Sequence, residues 1–199
     1  MRGDVAMLER TWDVLVIGGA SGSGKSSISR PLSSLYGIGL VRVDDFQVLL
    51  EKVTTPETCP AIHYWDVNPN WRNEGIDAAV DSLIDVGRVL MPGLLAVITD
   101  HIEENIPMIL EGDFILPELL TAFDSSRVKS IFVHELSREQ ILQNYYAREG
   151  ELQQFRADVS HAYGNWLATS CEKYGITTVN PRPWDSVIDR VVELLLNTP

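Results

Sequence analysis

The sequence is short of basic residues: 16 Lys and Arg stand against 28 Asp and Glu in 199 residues, a formal charge of −12 at pH 7. A nucleic-acid backbone is held by clustered Lys and Arg, so this balance argues against a protein that binds a polyanion through its overall field. Any phosphate must be gripped locally. Cysteine is scarce as well. Cys59 and Cys171 are the two present, too few for a disulfide framework and too far apart for a metal-binding pair, which fits a reducing compartment, the cytoplasm. Of the four histidines, His101, His134 and His161 are scattered without metal-ligand spacing. Long apolar runs are missing too. Val89 to Ile98 contains Pro92 and Gly93 and is too short to span a bilayer, and Met1 to Asp13 has no apolar core of a secretory signal. The expectation is a soluble chain with neither membrane nor nucleic acid as partner.

What is present is enough apolar material, 45% of residues, to bury one sizeable core, and residues 1–199 read as one domain. Short β-branched runs at Val14–Ile17, Leu40–Val43, Met108–Leu110, Val128–Val133 and Ile176–Val179 read as buried strands. Between them, Lys25–Tyr36, Phe46–Val53, Gly75–Glu104, Arg138–Arg148, Glu151–Tyr174 and Asp185–Leu196 read as helices. Pro92-Gly93 is expected to kink or divide the third. Such alternation predicts an α/β fold with right-handed crossovers and a parallel sheet. Residues 54–73 fit neither element: three prolines lie among Tyr64, Trp65 and Trp71, and long aromatic loops of this kind are commonly functional or disordered.

Gly18-Gly19-Ala20-Ser21-Gly22-Ser23-Gly24-Lys25-Ser26-Ser27 contains G-x-x-x-x-G-K-S between a strand and a helix, the context a phosphate-binding loop requires. Its glycines let successive N–H groups surround a phosphate, and the following helix adds the positive end of its dipole. Gly19 to Ser27 would thus hold ATP, with Lys25 reaching the β- and γ-phosphates and Ser26 ligating Mg²⁺. No guanine-reading N-K-x-D follows the fourth strand, which favours ATP over GTP.

Ligands of open parallel sheets sit beyond the carboxyl ends of the strands. There the second strand runs into Asp44-Asp45 and the third into Glu111-Gly112-Asp113. Phosphoryl transfer needs charge neutralisation and often a base. Asp45 or Asp44 is the expected substrate-orienting group or base, although Asp before a helix also serves as an N-cap. Glu111 with Asp113 is the expected Mg²⁺ shell, direct or through water.

The loop, the V-D-D-F after the second strand and the I-L-E-G of the third together resemble the P-loop kinase superfamily over residues 13–135, closest to the uridine kinase, phosphoribulokinase and 2-phosphoglycerate kinase-like group. The resemblance implies a three-layer α/β/α sandwich with a five-stranded parallel sheet in the order 2-3-1-4-5. It also implies an acceptor-contacting or deprotonating acid at Asp45, a residue near metal and substrate at Glu111, and a lid in residues 137–156. That segment offers Arg138, Arg148 and Arg156, and Arg148 is the first choice for contacting the transferred phosphate. Related kinases pack the adenine ring after the last strand, where Arg182 and Pro183 lie; the same residues also suit a rigid helix start.

His63, Tyr64, Trp65 and Arg72 would either line a substrate pocket, with Arg72 pairing an anionic group, or simply dock on the surface. The function expected is ATP-dependent phosphorylation of a small-molecule metabolite. The alternative is a nucleotide-gated regulatory ATPase or binding protein that makes no phosphorylated product. A homodimer is compatible with a kinase of this size.

Overall fold

The computed structural model of the protein describes residues 7–197. Met1 to Ala6, part of the segment read as lacking a secretory signal, lie outside the described residues.

The five apolar runs form one parallel sheet: β1 (Val14–Gly18), β2 (Gly39–Arg42), β3 (Met108–Gly112), β4 (Val128–Val133) and β5 (Thr178–Val179), in the order β2-β3-β1-β4-β5. Every residue of β1 is buried, as expected of a strand paired on both sides and covered on both faces. Its register sets Val14 beside Met108 and Val128, and Gly18 beside Gly112 and Phe132. The order is the one the family resemblance implies.

Because side chains alternate across a strand, β1 supplies two cores. Val14 and Val16 join Met108, Leu110 and Phe132 under α4 (Ile76–Glu103) and α6 (Gln154–Tyr174). Leu15 and Ile17 join Ile109, Ile131 and Val133 under α1 (Lys25–Tyr36) and α7 (Val187–Asn197). The result is the α/β/α sandwich, with α2 (Val43–Val53) and α5 (Arg138–Glu149) reaching the end of the sheet where β1 and β3 terminate, and a short α3 (Tyr64–Val67) after α2 in the chain.

Three expectations are corrected. Val43 does not end β2 but opens α2, so Asp44 and Asp45 fall in a helical first turn and neither makes a side-chain cap. The cause is packing: Val43 is fully buried against Gly112, where an added Cβ would lie 2.4 Å from the Cβ of Val43. Residues 54–73 are not a structureless loop; they contain α3, a 3₁₀ turn at Trp71–Glu74, and buried Ile62 and His63. The segment Pro117–Ala122, assigned to nothing, is a further 3₁₀ turn.

The third correction concerns α4, which Pro92-Gly93 does not divide: it runs as one helix of 28 residues. Pro92 is exposed, so the carbonyl it leaves unbonded faces water, while Leu90 and Leu94 on either side are buried and hold the helix to the sheet. By length and composition alone the whole of α4, of which Val89–Ile98 is a part, is long and apolar enough to cross a membrane. Its stripe from Ala79 and Val80 through Ile84, Val86, Leu90 and Leu94 to Ile98 instead forms part of the core.

Candidate active site

At the carboxyl end of the sheet the loop between β1 and α1 borders a cleft of about 720 Å³. Gly22 and Gly24 sit at φ 76° and 100°, backbone angles that side chains resist, and α1 begins directly after Gly24. Gly24 has a second constraint: a Cβ there would come within 2.6 Å of the Trp184 ring, which forms the adjoining wall. The loop is further fixed by Asn144 of α5, whose amide donates to the Gly22 carbonyl at 2.8 Å and is itself held by Gln140 at 2.9 Å.

Lys25 is buried and its Nζ donates to the Ala20 carbonyl at 2.9 Å and to Asp113. Asp113 is held from behind, its own carbonyl accepting from Tyr163 Oη at 3.0 Å. Complete burial raises the Tyr163 phenol well above its ordinary pKa, with the Asp113 charge adding to the effect, so this hydroxyl stays a donor. Glu111, 6% exposed, accepts from Ser26 Oγ at 3.0 Å and from Ser29 Oγ at 2.9 Å. A buried carboxylate is costly unless its oxygens are satisfied, and these two hydroxyls satisfy one oxygen each.

The two aspartates of α2 part company. Asp44 lines the cleft and pairs with Arg42 Nη2 at 2.8 Å; Asp45 is outside the cleft lining, 70% exposed at the side chain, with Arg42 Nη1 at 3.7 Å. Successive helical residues project about 100° apart, which is why both cannot face the loop. The Arg42 guanidinium is pushed above its ordinary pKa, first by the hydrogen bond it donates to Asp44 and then by the Asp44 charge.

The opposite wall comes from the segment read as a lid. Arg148 of α5 and Arg156 of α6 both line the cleft, and both meet Glu149, at 2.5 Å and 3.0 Å, while stacking over Tyr145. Arg138 points elsewhere and pairs with Asp158 at 2.7 Å.

Several anticipated residues are not brought to the cleft. His63 is buried, its Nε2 3.0 Å from Thr54 Oγ1; Tyr64 Oη donates to Glu74 at 2.6 Å; Trp65 packs on the core; Arg72 lies over the Trp71 ring at 4.8 Å. Arg182 donates to buried Glu135 at 3.1 Å and lies over Trp184 at 5.4 Å, so Trp184 and not Arg182 reaches the cleft. Conversely, Arg30, Arg42, Asn144 and Trp184 line it without having been singled out as site residues. Arg30 alone carried a local signal, its helical spacing of four from Ser26.

Among the described residues no three His, Cys, Asp or Glu side chains cluster as a metal site. The Ser26 hydroxyl backed by Glu111 is a hard oxygen pair that suits Mg²⁺, an ion that keeps several waters and takes few protein ligands. Asp113 is engaged with Lys25.

Fold and loop together define the class: this is the P-loop kinase fold, with its sheet order and with the phosphate loop between β1 and α1. It aligns with a shikimate kinase from Acinetobacter baumannii, solved in complex with shikimate, at TM-score 0.51 and 17% identity over 94% of either chain. No protein-family model matches the chain. In sequence it is similar to a 2-phosphoglycerate kinase from Methanopyrus kandleri, 24% identical over 198 residues that cover 92% of this chain, and to one from Pyrococcus furiosus, 27% identical over 142 residues that cover 68%. These matches span 60% and 46% of the two relatives' own lengths. The chain therefore resembles the P-loop small-molecule kinases in both sequence and fold.

Proposed function

We propose that the protein is an ATP- and Mg²⁺-dependent kinase that phosphorylates a hydroxyl of a small metabolite, with 2-phosphoglycerate, the substrate in its relatives' names, as the leading acceptor. One observation carries the reading: Lys25, the Ser26–Glu111 pair and Asp44 all border one cleft beside the loop. The loop also holds a buried hydroxyl, Ser23 Oγ, with no hydrogen-bond partner among the described residues, which an oxyanion seated in the loop would satisfy.

In this reading the loop amides and Lys25 bind the β- and γ-phosphates. Lys25 exchanges its contact with Asp113 for one with the nucleotide. Glu111 fixes the Ser26 hydroxyl where magnesium, when bound, spreads the charge that develops between the phosphates. Asp44 accepts the proton of the acceptor hydroxyl as its oxygen attacks phosphorus and the bond to the departing ADP breaks. Arg148 and Arg156 offset the charge of the group in transit. Trp184, beside Gly24, supplies an apolar wall for the nucleotide.

The test is to incubate the protein with Mg·ATP and a panel containing 2-phosphoglycerate, 3-phosphoglycerate, shikimate and gluconate, and to detect phosphorylated product by mass spectrometry. Acceptor-dependent ADP release with a matching product is expected. Nucleotide binding without any acceptor-stimulated turnover would refute the reading. Lys25→Ala should lower kcat by about 100- to 1,000-fold, the usual effect of removing one preorganised charge-stabilising contact; steady-state kinetics with the best acceptor checks this.

A further inference from the structure

Five of the chain's 16 basic residues, Lys25, Arg30, Arg42, Arg148 and Arg156, line this one cleft of a protein with net charge −12. Most are already matched. Lys25 faces Asp113, Arg42 faces Asp44, and Arg148 and Arg156 share Glu149. Glu111 has both oxygens engaged by serine hydroxyls. Arg30 differs: it lines the cleft, yet among the described residues its guanidinium has no hydrogen bond, ion pair or aromatic contact.

Its place on α1 gives that free charge a target. Arg30 follows Ser26 by one helical turn, about 6 Å along the axis, and helical side chains lean back toward the N-terminus. The guanidinium is thus carried toward Ser26 and the cleft. The second cation on this side is Arg42, at the end of β2 in register with Glu111 and bonded to Asp44, the cleft acid that the phosphate loop does not engage. A nucleotide polyphosphate is served by the loop amides and Lys25. A forked guanidinium left over beside the acid that takes the acceptor's proton suits a second, separate anion.

We infer that Arg30, with Arg42 beside it, anchors a phosphate monoester carried by the acceptor and so sets the specificity of the reaction. The inference rests on the kinase reading of the cleft. Arg30 grips the acceptor's existing phosphate and turns its free hydroxyl toward Asp44. An acceptor without that dianion lacks the anchor and binds weakly.

Calorimetry separates this role from others. Wild type, Arg30→Ala and Arg30→Lys are each saturated with Mg²⁺ and a non-hydrolysable ATP analogue, then titrated with 2-phosphoglycerate, 3-phosphoglycerate, glycerol phosphate and, as the uncharged control, glycerol. At least one phosphate monoester should bind the wild type and bind Arg30→Ala about tenfold more weakly or worse, the loss expected for a hydrogen-bonded charged contact. Arg30→Lys should regain part of the affinity, and the nucleotide analogue should bind all three proteins alike. Unchanged monoester affinity in Arg30→Ala would overturn the inference, as would a wild type that binds the nucleotide analogue but no monoester. A parallel loss of nucleotide affinity would also overturn it, returning Arg30 to the nucleotide. Failure of the wild type to bind the nucleotide analogue would sink the kinase reading itself, and the inference with it.

Discussion

At the scale of single residues, what distinguishes the acids at this sheet edge is which way they face. Asp44 and Asp45 are neighbours of identical chemistry, but 45% of one side chain and 70% of the other meets solvent, and Asp44 alone lines the cleft. Asp44→Asn should therefore cut kcat by at least about tenfold, the lower part of what general-base catalysis contributes, whereas Asp45→Asn should leave kcat within about twofold. Parallel kinetics on both variants decide it, and equal losses would refute the assignment. The sequence located this pair and Glu111 because each stands at the carboxyl end of a short apolar run. The family resemblance set the acceptor's acid at Asp45, whereas Asp44 is the one that lines the cleft, because the start of α2 at Val43 depends on Gly112, a residue distant in sequence. Asn144 and Trp184 were invisible for the same reason, as their contacts with the loop span the fold.

At the scale of elements, the bounds of α1 were legible to the residue, because the loop fixes its start and Gly37, at φ 64°, fixes its end. The segment from 54 to 73 was not, because its short α3 and 3₁₀ turn follow from burying Ile62 and His63 rather than from any periodicity. The joint between α5 and α6 carries its own control. Burial works against ionising Glu149, but hydrogen bonds from Gln153 and Arg148 and the charges of Arg156 and Arg148 outweigh it, and its carboxyl sits below the ordinary range. A depressed folded pKa means the stabilisation is present above the unfolded value and is lost as pH falls through the folded one. Amide exchange at this joint should accordingly quicken as pH drops below the ordinary Glu range, after correction for the intrinsic rate, and Glu149→Gln should abolish that dependence. A pH-independent opening of the joint in wild type would contradict it.

At the scale of the whole molecule, burial separates the two thiols. Cys171 is fully buried and its pKa is pushed up to about 12 by desolvation, whereas Cys59 is partly accessible. A thiol reagent at neutral pH should modify Cys59 promptly and reach Cys171 only as denaturant opens the core. Rapid labelling of both in buffer alone would show that the packing of α6 is looser than described. Sheet order and layers were legible from alternation and from the family resemblance, and so was the span of α4, which Pro92 does not divide because a proline on a solvent-facing turn does not stop a helix held by its other face. The central position of β1 has a last consequence, for biosynthesis. This early strand gains its two neighbours only when β3 and β4, beyond the middle of the chain, have left the ribosome. The nascent N-terminal half thus carries the apolar run Val14–Gly18 without a mate, and a chaperone that shields such segments should speed the protein's maturation.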